Sequence, residues 1–338
     1  MRLTALIQLA FCMAVLGLGS CEKEETPYKL PPKPHGNIRI SQINLGENYE
    51  EQIYIHLLDS PSIKASFDGN SWDLSFESSP WGNRIYLNGG KGVLVANSGN
   101  KSFIRISEPE YLNYRWDEAS GGDSLALKNW CDNRGISFDS IYVIDRGPGA
   151  PAATRYFQMR IKLVDATHYE LEVADLKAKQ ISTFAIQKDP SKQLVFYSYD
   201  SPTKTLNLEP AREDWHLVFL RYRWIYYDFK PPLLYTVTGI HINQELMQVG
   251  VDSTLLFENI SLKDSSKFEF SSDRDQIGFD WKNYDFQSGK YKTRNYVTYL
   301  IRLKDSGKNR YFKLRFIDFY SSSGLKGSPK FEIEELEP

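Results

Sequence analysis

At 338 residues the chain is long enough for two ordinary domains. A formal net charge of −2 supplies no basic field for nucleic acid, and nothing after Leu18 is apolar for long enough to cross a bilayer as a helix. Three cysteines (Cys12, Cys21 and Cys131) exclude an internal disulfide framework, so the core must come from packing.

The chain opens as a secretory leader. Arg2 precedes an almost uninterrupted apolar run from Leu3 to Leu18, and Leu18-Gly19-Ser20-Cys21 ends it with small residues before a cysteine. The run is too short, and too closely followed by charge, for a spanning helix. A cysteine at the cut point indicates a lipoprotein: residues 1–20 leave as signal peptide, and Cys21 carries the lipid as the new N-terminus. In an ordinary cleaved signal Cys21 would be incidental. Acyl chains contribute about 0.8 kcal/mol per buried methylene, so two or three of them anchor a protein stably. The expected product is a water-soluble body that meets the membrane through its lipid anchor only. Residues 21–36 read as a tether: Glu22-Lys23-Glu24-Glu25 is a solvated charge run, and Pro27, Pro31, Pro32 and Pro34 favour extended backbone.

After the tether the chain is written twice. Asp59-Ser60-Pro61 and Trp72-Asp73-Leu74-Ser75-Phe76 are echoed by Asp200-Ser201-Pro202 and Trp215-His216-Leu217-Val218-Phe219. Further on, Arg155-Tyr156-Phe157-Gln158-Met159-Arg160-Ile161 is echoed by Arg310-Tyr311-Phe312-Lys313-Leu314-Arg315-Phe316. The three pairs lie 141, 143 and 155 residues apart, in one order, which points to a duplicated domain. Aromatics at 14% suit strands with bulky cross-strand pairs. In chain order, residues 123–131 are the best short helix, with Asp123 or Ser124 as cap. Tyr142 to Ile144 is a strand, Gly147-Pro148-Gly149 a turn, and Phe157 to Leu163 a strand of period two. Ile181 to Ile186 is a strand at the domain boundary, readable as the first of the second domain. Tyr296 to Leu303, the turn Asp305-Ser306-Gly307 and Phe312 to Phe316 repeat the strand–turn–strand pattern. The expected fold is all-β: two tandem antiparallel sandwich or flattened-barrel domains, residues 37–178 and 179–338, with little helix.

At these motifs the chain resembles the HmuY-like lipoproteins of Bacteroidetes. The resembling residues are Trp72 to Phe76 with Asn88-Gly89-Gly90, and the ending Asn309 to Tyr320 followed by Gly324, Gly327 and Phe331. The acidic cluster after Cys21 likewise resembles the surface-export signal of such lipoproteins. The resemblance implies an all-β, mostly antiparallel fold that holds haem between paired axial side chains and passes it to an outer-membrane receptor. It also implies an outer-membrane, cell-surface location and a role in iron acquisition. The axial ligands do not carry over by motif: the position shortly after the Trp motif is Glu77 in one copy and Leu220 in the other, and neither suits iron.

Haem iron takes a neutral imidazole or a thioether from a mostly apolar cleft. His35 lies in the tether, Met159 alternates with core residues, and His168 alternates with glutamates. His56 reads as a satisfied strand histidine. His216 stands where the first copy has Asp73, and heads a parity of His216, Val218, Leu220, Tyr222 and Trp224. The equivalent face in the first copy, Asp73, Ser75, Glu77 and Ser79, is one that water accepts. Both faces of the second-copy strand are therefore apolar or aromatic, and the other domain, a partner or a flat ligand must cover the extra one. His241 and Met247 lie in a stretch able to fold over it. The expected axial pair is His216 with His241 or Met247, with Tyr222 and Trp224 lining the site. Tyr226 and Tyr227 are candidates for stacking, and Arg221 and Arg223 for charge.

No Gly-rich phosphate loop, zinc spacing or nucleophile elbow occurs, so a non-catalytic ligand-binding protein is expected. The expected ligand is haem or a related porphyrin. The alternative is a surface β-scaffold that binds glycan or protein, since seven Trp and 21 Tyr suit sugar stacking equally well.

Overall fold

The computed structural model describes residues 37–58, 60–122 and 124–337. The leader, Cys21, the tether with His35, Asp59 and Asp123 lie outside the described residues.

Twenty strands form among the described residues, with only short 3-10 helices besides. The first six are β1 (Arg39–Gln42), β2 (Glu51–His56), β3 (Ser62–Asp68), β4 (Leu74–Glu77), β5 (Ile85–Leu87) and β6 (Leu94–Asn97). After a long irregular stretch come β7 (Tyr142–Asp145), β8 (Tyr156–Leu163), β9 (His168–Ala174), β10 (Ile181–Gln187), β11 (Leu194–Tyr197) and β12 (Thr205–Leu206). The rest are β13 (Leu217–Tyr226), β14 (Leu233–Ile242), β15 (Met247–Asp252), the hairpin β16 (Lys282–Asp285) and β17 (Lys290–Thr293), then β18 (Thr298–Asp305), β19 (Lys308–Tyr320) and β20 (Lys326–Glu335). All pairings between named strands are antiparallel. The chain is thus all-β.

Period-two alternation drives the packing. Phe157, Met159 and Ile161 point from β8 into a core with Leu74, Phe76, Ile144, Leu171 and Tyr197. Phe312, Leu314 and Phe316 do the same from β19, against Ile53, Ile55, Leu217, Phe219, Ile301 and Ile333. The first core lies between the sheets β12-β11-β4-β5 and β10-β9-β8-β7-β6, the second between β14-β13-β2-β3 and β1-β20-β19-β18-β15. Each buried Phe or Leu contributes about 1.5–3 kcal/mol.

The two sandwiches match strand for strand: β4 to β12 correspond in sheet position to β13, β14, β15, β18, β19, β20, β1, β2 and β3. The second sandwich is therefore closed by the first three strands of the chain. This differs from a division at 178/179. Residues 39–68 do not belong with the first copy: β1 pairs with β20, and β2 with β13 through Leu217↔Ile55 and Phe219↔Ile53. Nor does β10 start the second copy, because it pairs with β9 along its whole length. The physical reason is that each copy needs both sheets complete to bury its apolar faces, and the second copy's missing strands stand at the N-terminus. The chain crosses between sandwiches twice, at residues 69–73 and 207–216.

Residues 124–131 form turns instead of the expected helix. Leu125, Leu127, Trp130 and Cys131 are buried in a spacing that one helix face does not match, and the Ala126 N–H donates to Asp117 Oδ1 at 2.8 Å. Cys131 is a free, buried thiol.

Candidate functional site

Between the sandwiches, the outward faces of the β4–β5–β11 and β2–β13–β14 sheets line a cavity of about 450 Å³. Its walls include Trp72, Ser75, Tyr86 and Phe196 from the first sandwich, and Tyr54, Trp215, Val218, Leu220, Tyr222 and His241 from the second. Arg223, Arg274, Asp117 and Glu209 add charge. The apolar second face of β13, unexplained in the sequence, is thus covered by the sister sandwich with a cleft left between. The first copy's face is not watered as expected either: Asp73 and Ser75 are fully buried.

The Trp motifs build this cleft by the same local device in both copies. Asn88, just after β5, donates from Nδ2 to the carbonyls of Gly69 (2.7 Å) and Trp72 (2.9 Å). Asn243, just after β14, donates to those of Arg212 (2.8 Å) and Trp215 (2.9 Å). Each asparagine thereby pins one crossover and presents one tryptophan. The Trp72 indole N–H reaches Gln52 Oε1 at 3.2 Å, and Gln52 Nε2 donates to Tyr54 OH at 3.1 Å, tying the two halves. The glycines after Asn88 serve close approach: a Cβ on Gly89 would lie 2.9 Å from the Arg223 backbone nitrogen.

His216 is not in the cleft. The β13 alternation begins only at Leu217, so Trp215 shares the cleft face with Val218 while His216 turns away beside His56, ring centroids 4.6 Å apart. His216 Nδ1 accepts the Leu57 N–H at 2.9 Å. In the first copy Asp73 Oδ2 accepts the Tyr199 N–H at 2.7 Å, at the equivalent register. His216 is therefore the acceptor counterpart of Asp73, and burial pushes its pKa down to about 3. Met247 is also excluded: as the first residue of β15 it points into the second sandwich core, on the far side of the β13–β14 sheet. The expected pairing of His216 with His241 or Met247 is not built.

His241 does face the cleft, between the core residues Ile240 and Ile242 and opposite Val218. Its ring packs 4.5 Å from Tyr222. Burial holds it neutral, and neither ring nitrogen has a hydrogen-bond partner. Tyr222 is in the wall, its hydroxyl also unpartnered. Trp224 is half-buried against Phe279 at 5.2 Å, outside the cleft lining. Tyr226 stacks edge-on with Phe229 and Tyr235, Tyr227 donates to Glu118 at the surface, and Arg221 donates to Asn70 Oδ1 at 2.7 Å.

Further buried atoms of the lining have no partner: Ser75 Oγ, Glu209 Oε1, Trp215 Nε1 and Arg223 Nη1. Each such atom costs about 1–3 kcal/mol when left unmatched, so ordered water or a guest must meet them. Burial pushes the Glu209 carboxyl up to about 8 and that of Asp117 up to about 6. Glu209, Asp117 and Arg274 come from irregular segments and carry no periodic signal in the sequence; Trp72 and Trp215 were visible only as fold motifs.

The Glu209 shift has a consequence for stability. Between pH 4.5 and about 8 an unfolded chain releases a proton that the folded chain retains, so stability falls as pH rises through that window, by about 5 kcal/mol at most. Glu209→Gln is expected to melt above the wild type at pH 8 and level with it at pH 4.5. An equal difference at both pH values in thermal melts would contradict a neutral Glu209.

Among the described residues no cluster of three or more His, Cys, Asp or Glu suits a metal ion. The cleft offers one imidazole, with no methionine or cysteine in its lining.

A family model described as HmuY protein matches residues 48–333, from the approach to β2 into β20 and across both sandwiches. Among solved structures, a Bacteroides fragilis protein named as a lipoprotein is 14% identical, with 50% of this chain and 84% of that one covered and a TM-score of 0.22. A Bacteroides vulgatus protein named as an HmuY-like heme binding protein is also 14% identical, with 35% and 91% covered and a TM-score of 0.19. A search of curated proteins finds no match. On the extent of the family match, the chain belongs to the HmuY family.

Proposed function

We propose that this chain captures haem or a related porphyrin in the cleft between its two sandwiches, with His241 as the iron's only protein imidazole. One observation carries the reading: His241 is buried and neutral on the cleft face, and neither ring nitrogen is committed to another group, so one is available to bind a metal. Membership of the HmuY family supports the ligand class. Trp72, Trp215 and Tyr222 offer aromatic surface to a flat macrocycle. The protein would be non-catalytic and would hold its cargo by coordination and burial, then hand it to an outer-membrane receptor. The leader ending at Cys21 supports a lipid anchor at the outer membrane, exposed at the cell surface.

A second reading is favoured by the unpartnered Ser75, Trp215 and Glu209 atoms, which suit a glycan stacked on the tryptophans. Haemin titration followed by absorbance separates the two. The cleft predicts a saturable spectrum of high-spin, single-imidazole type. A low-spin two-imidazole spectrum would contradict the one-histidine site, and no saturable change would leave the glycan reading.

A further inference from the structure

The β4–β5 connection holds a tryptophan in a backbone conformation that suits glycine. Ser79, Pro80, Trp81 and Gly82 form a tight turn, closed by the Gly82 N–H on the Ser79 carbonyl at 3.0 Å, with Trp81 in the left-handed region at φ 60°. A bulky side chain is strained there and persists only where its surroundings over-determine the turn. They do so from beneath. Tyr169 OH donates to the Gly82 carbonyl at 2.6 Å, and Lys188 Nζ donates to the carbonyls of Ser79 (2.8 Å) and Gly82 (2.6 Å). The Trp130 indole N–H fixes the Asn83 carbonyl at 2.8 Å. The indole positioned at this cost is 64% exposed and adds little to the core.

Trp81 borders an open groove of about 360 Å³, built only from residues of the first sandwich and sharing none with the cleft. Ile136 and Val164 add exposed apolar surface, and Arg134, Lys162 and Asp139 add polar groups. The loop carrying Arg134 and Ile136 is fixed as well, because Asp132 Oδ1 accepts both of their N–H groups at 2.9 Å. The cations are already balanced. Arg134 Nε and Nη2 donate to Asp132 Oδ2 at 3.1 and 3.0 Å, and Lys162 donates to Glu170 at 3.1 Å. These pairings leave no strong field of either sign, so charge does not select the ligand.

We infer that this groove is a binding site separate from the cleft, for a neutral pyranose sugar stacked on Trp81. A pyranose ring has a face of C–H bonds and a rim of hydroxyls. The indole buries the first without stripping water from the second, while the Arg134 and Lys162 donors and the Asp139 acceptor meet the hydroxyls. A purely apolar guest would instead desolvate those charged groups without bonding them.

Saturation-transfer NMR on the purified chain tests this, with maltose, cellobiose and methyl β-galactoside as separate probes. Ring protons of at least one should receive saturation, and Trp81→Ala should weaken that binding by about tenfold or more. Trp81→Gly should lose the signal too, yet raise the melting temperature by about 2 °C, because glycine takes the left-handed turn freely. A lower melting temperature in Trp81→Gly would make the indole a packing element and overturn the site. No transfer to any of the three sugars would overturn it as well. Transfer undiminished in Trp81→Ala would put the sugar elsewhere, the cleft included, and equally contradict the assignment.

Discussion

His241→Ala is expected to weaken haemin binding by on the order of 100-fold, about 2.8 kcal/mol, and to remove the imidazole signature from its spectrum. Affinity for metal-free protoporphyrin IX should stay within about twofold, because the lost bond is to iron alone. His216→Ala should leave haemin affinity and spectrum unchanged, since that imidazole faces Leu57 and His56 and not the cleft. If His216→Ala and His241→Ala had equal effects on the spectrum, the assignment would fail.

The second large effect concerns stability. Asp73 is fully buried and accepts from Lys91 Nζ at 2.6 Å, Arg146 Nε at 3.1 Å and the Tyr199 N–H at 2.7 Å. Arg146 is itself fully buried and also pairs with Asp200. Removing one member of such a network leaves an uncompensated charge away from water. Asp73→Ala should therefore destabilise by about 3 kcal/mol, the lower end of the usual range because Asp200 remains. His216→Ala removes a neutral acceptor at the equivalent position and should cost about 1–2 kcal/mol. Its effect is pH-dependent. His216 has its folded pKa lowered to about 3 from 6.5, so it favours folding above 6.5 and progressively opposes it as pH falls toward 3. Replacing it should flatten that acid limb. Denaturant midpoints of the two variants measure the difference, and equal losses would contradict a charge network specific to the first sandwich.

The strands were legible because alternation decides which residues a pleated sheet can bury, as Phe157, Met159 and Ile161 show. The doubling was legible as well, since Trp72 and Trp215 are held by matching asparagines. Which strands close which sandwich was not: edge pairing such as Arg39 with Ile333 is set by distant surfaces and leaves no local trace. His241 was readable, lodged between two core isoleucines on a regular strand. His216 was misread for a physical reason. Period two reaches back only to Leu217, and the backbone bends at His216, exchanging the faces. Met247 was misjudged because the chain passes to the opposite sheet between Asn243 and Leu246. Arg274 and Glu209 reach the cleft from irregular segments, where spacing carries no directional information.

A crystal structure of the haemin complex tests the inter-sandwich site most directly. The iron should be bonded to a ring nitrogen of His241, with the macrocycle between the β4–β5 and β13–β14 faces. A haem seated on an outer surface, or ligated by His56 or His168 with the cleft unchanged, would contradict it.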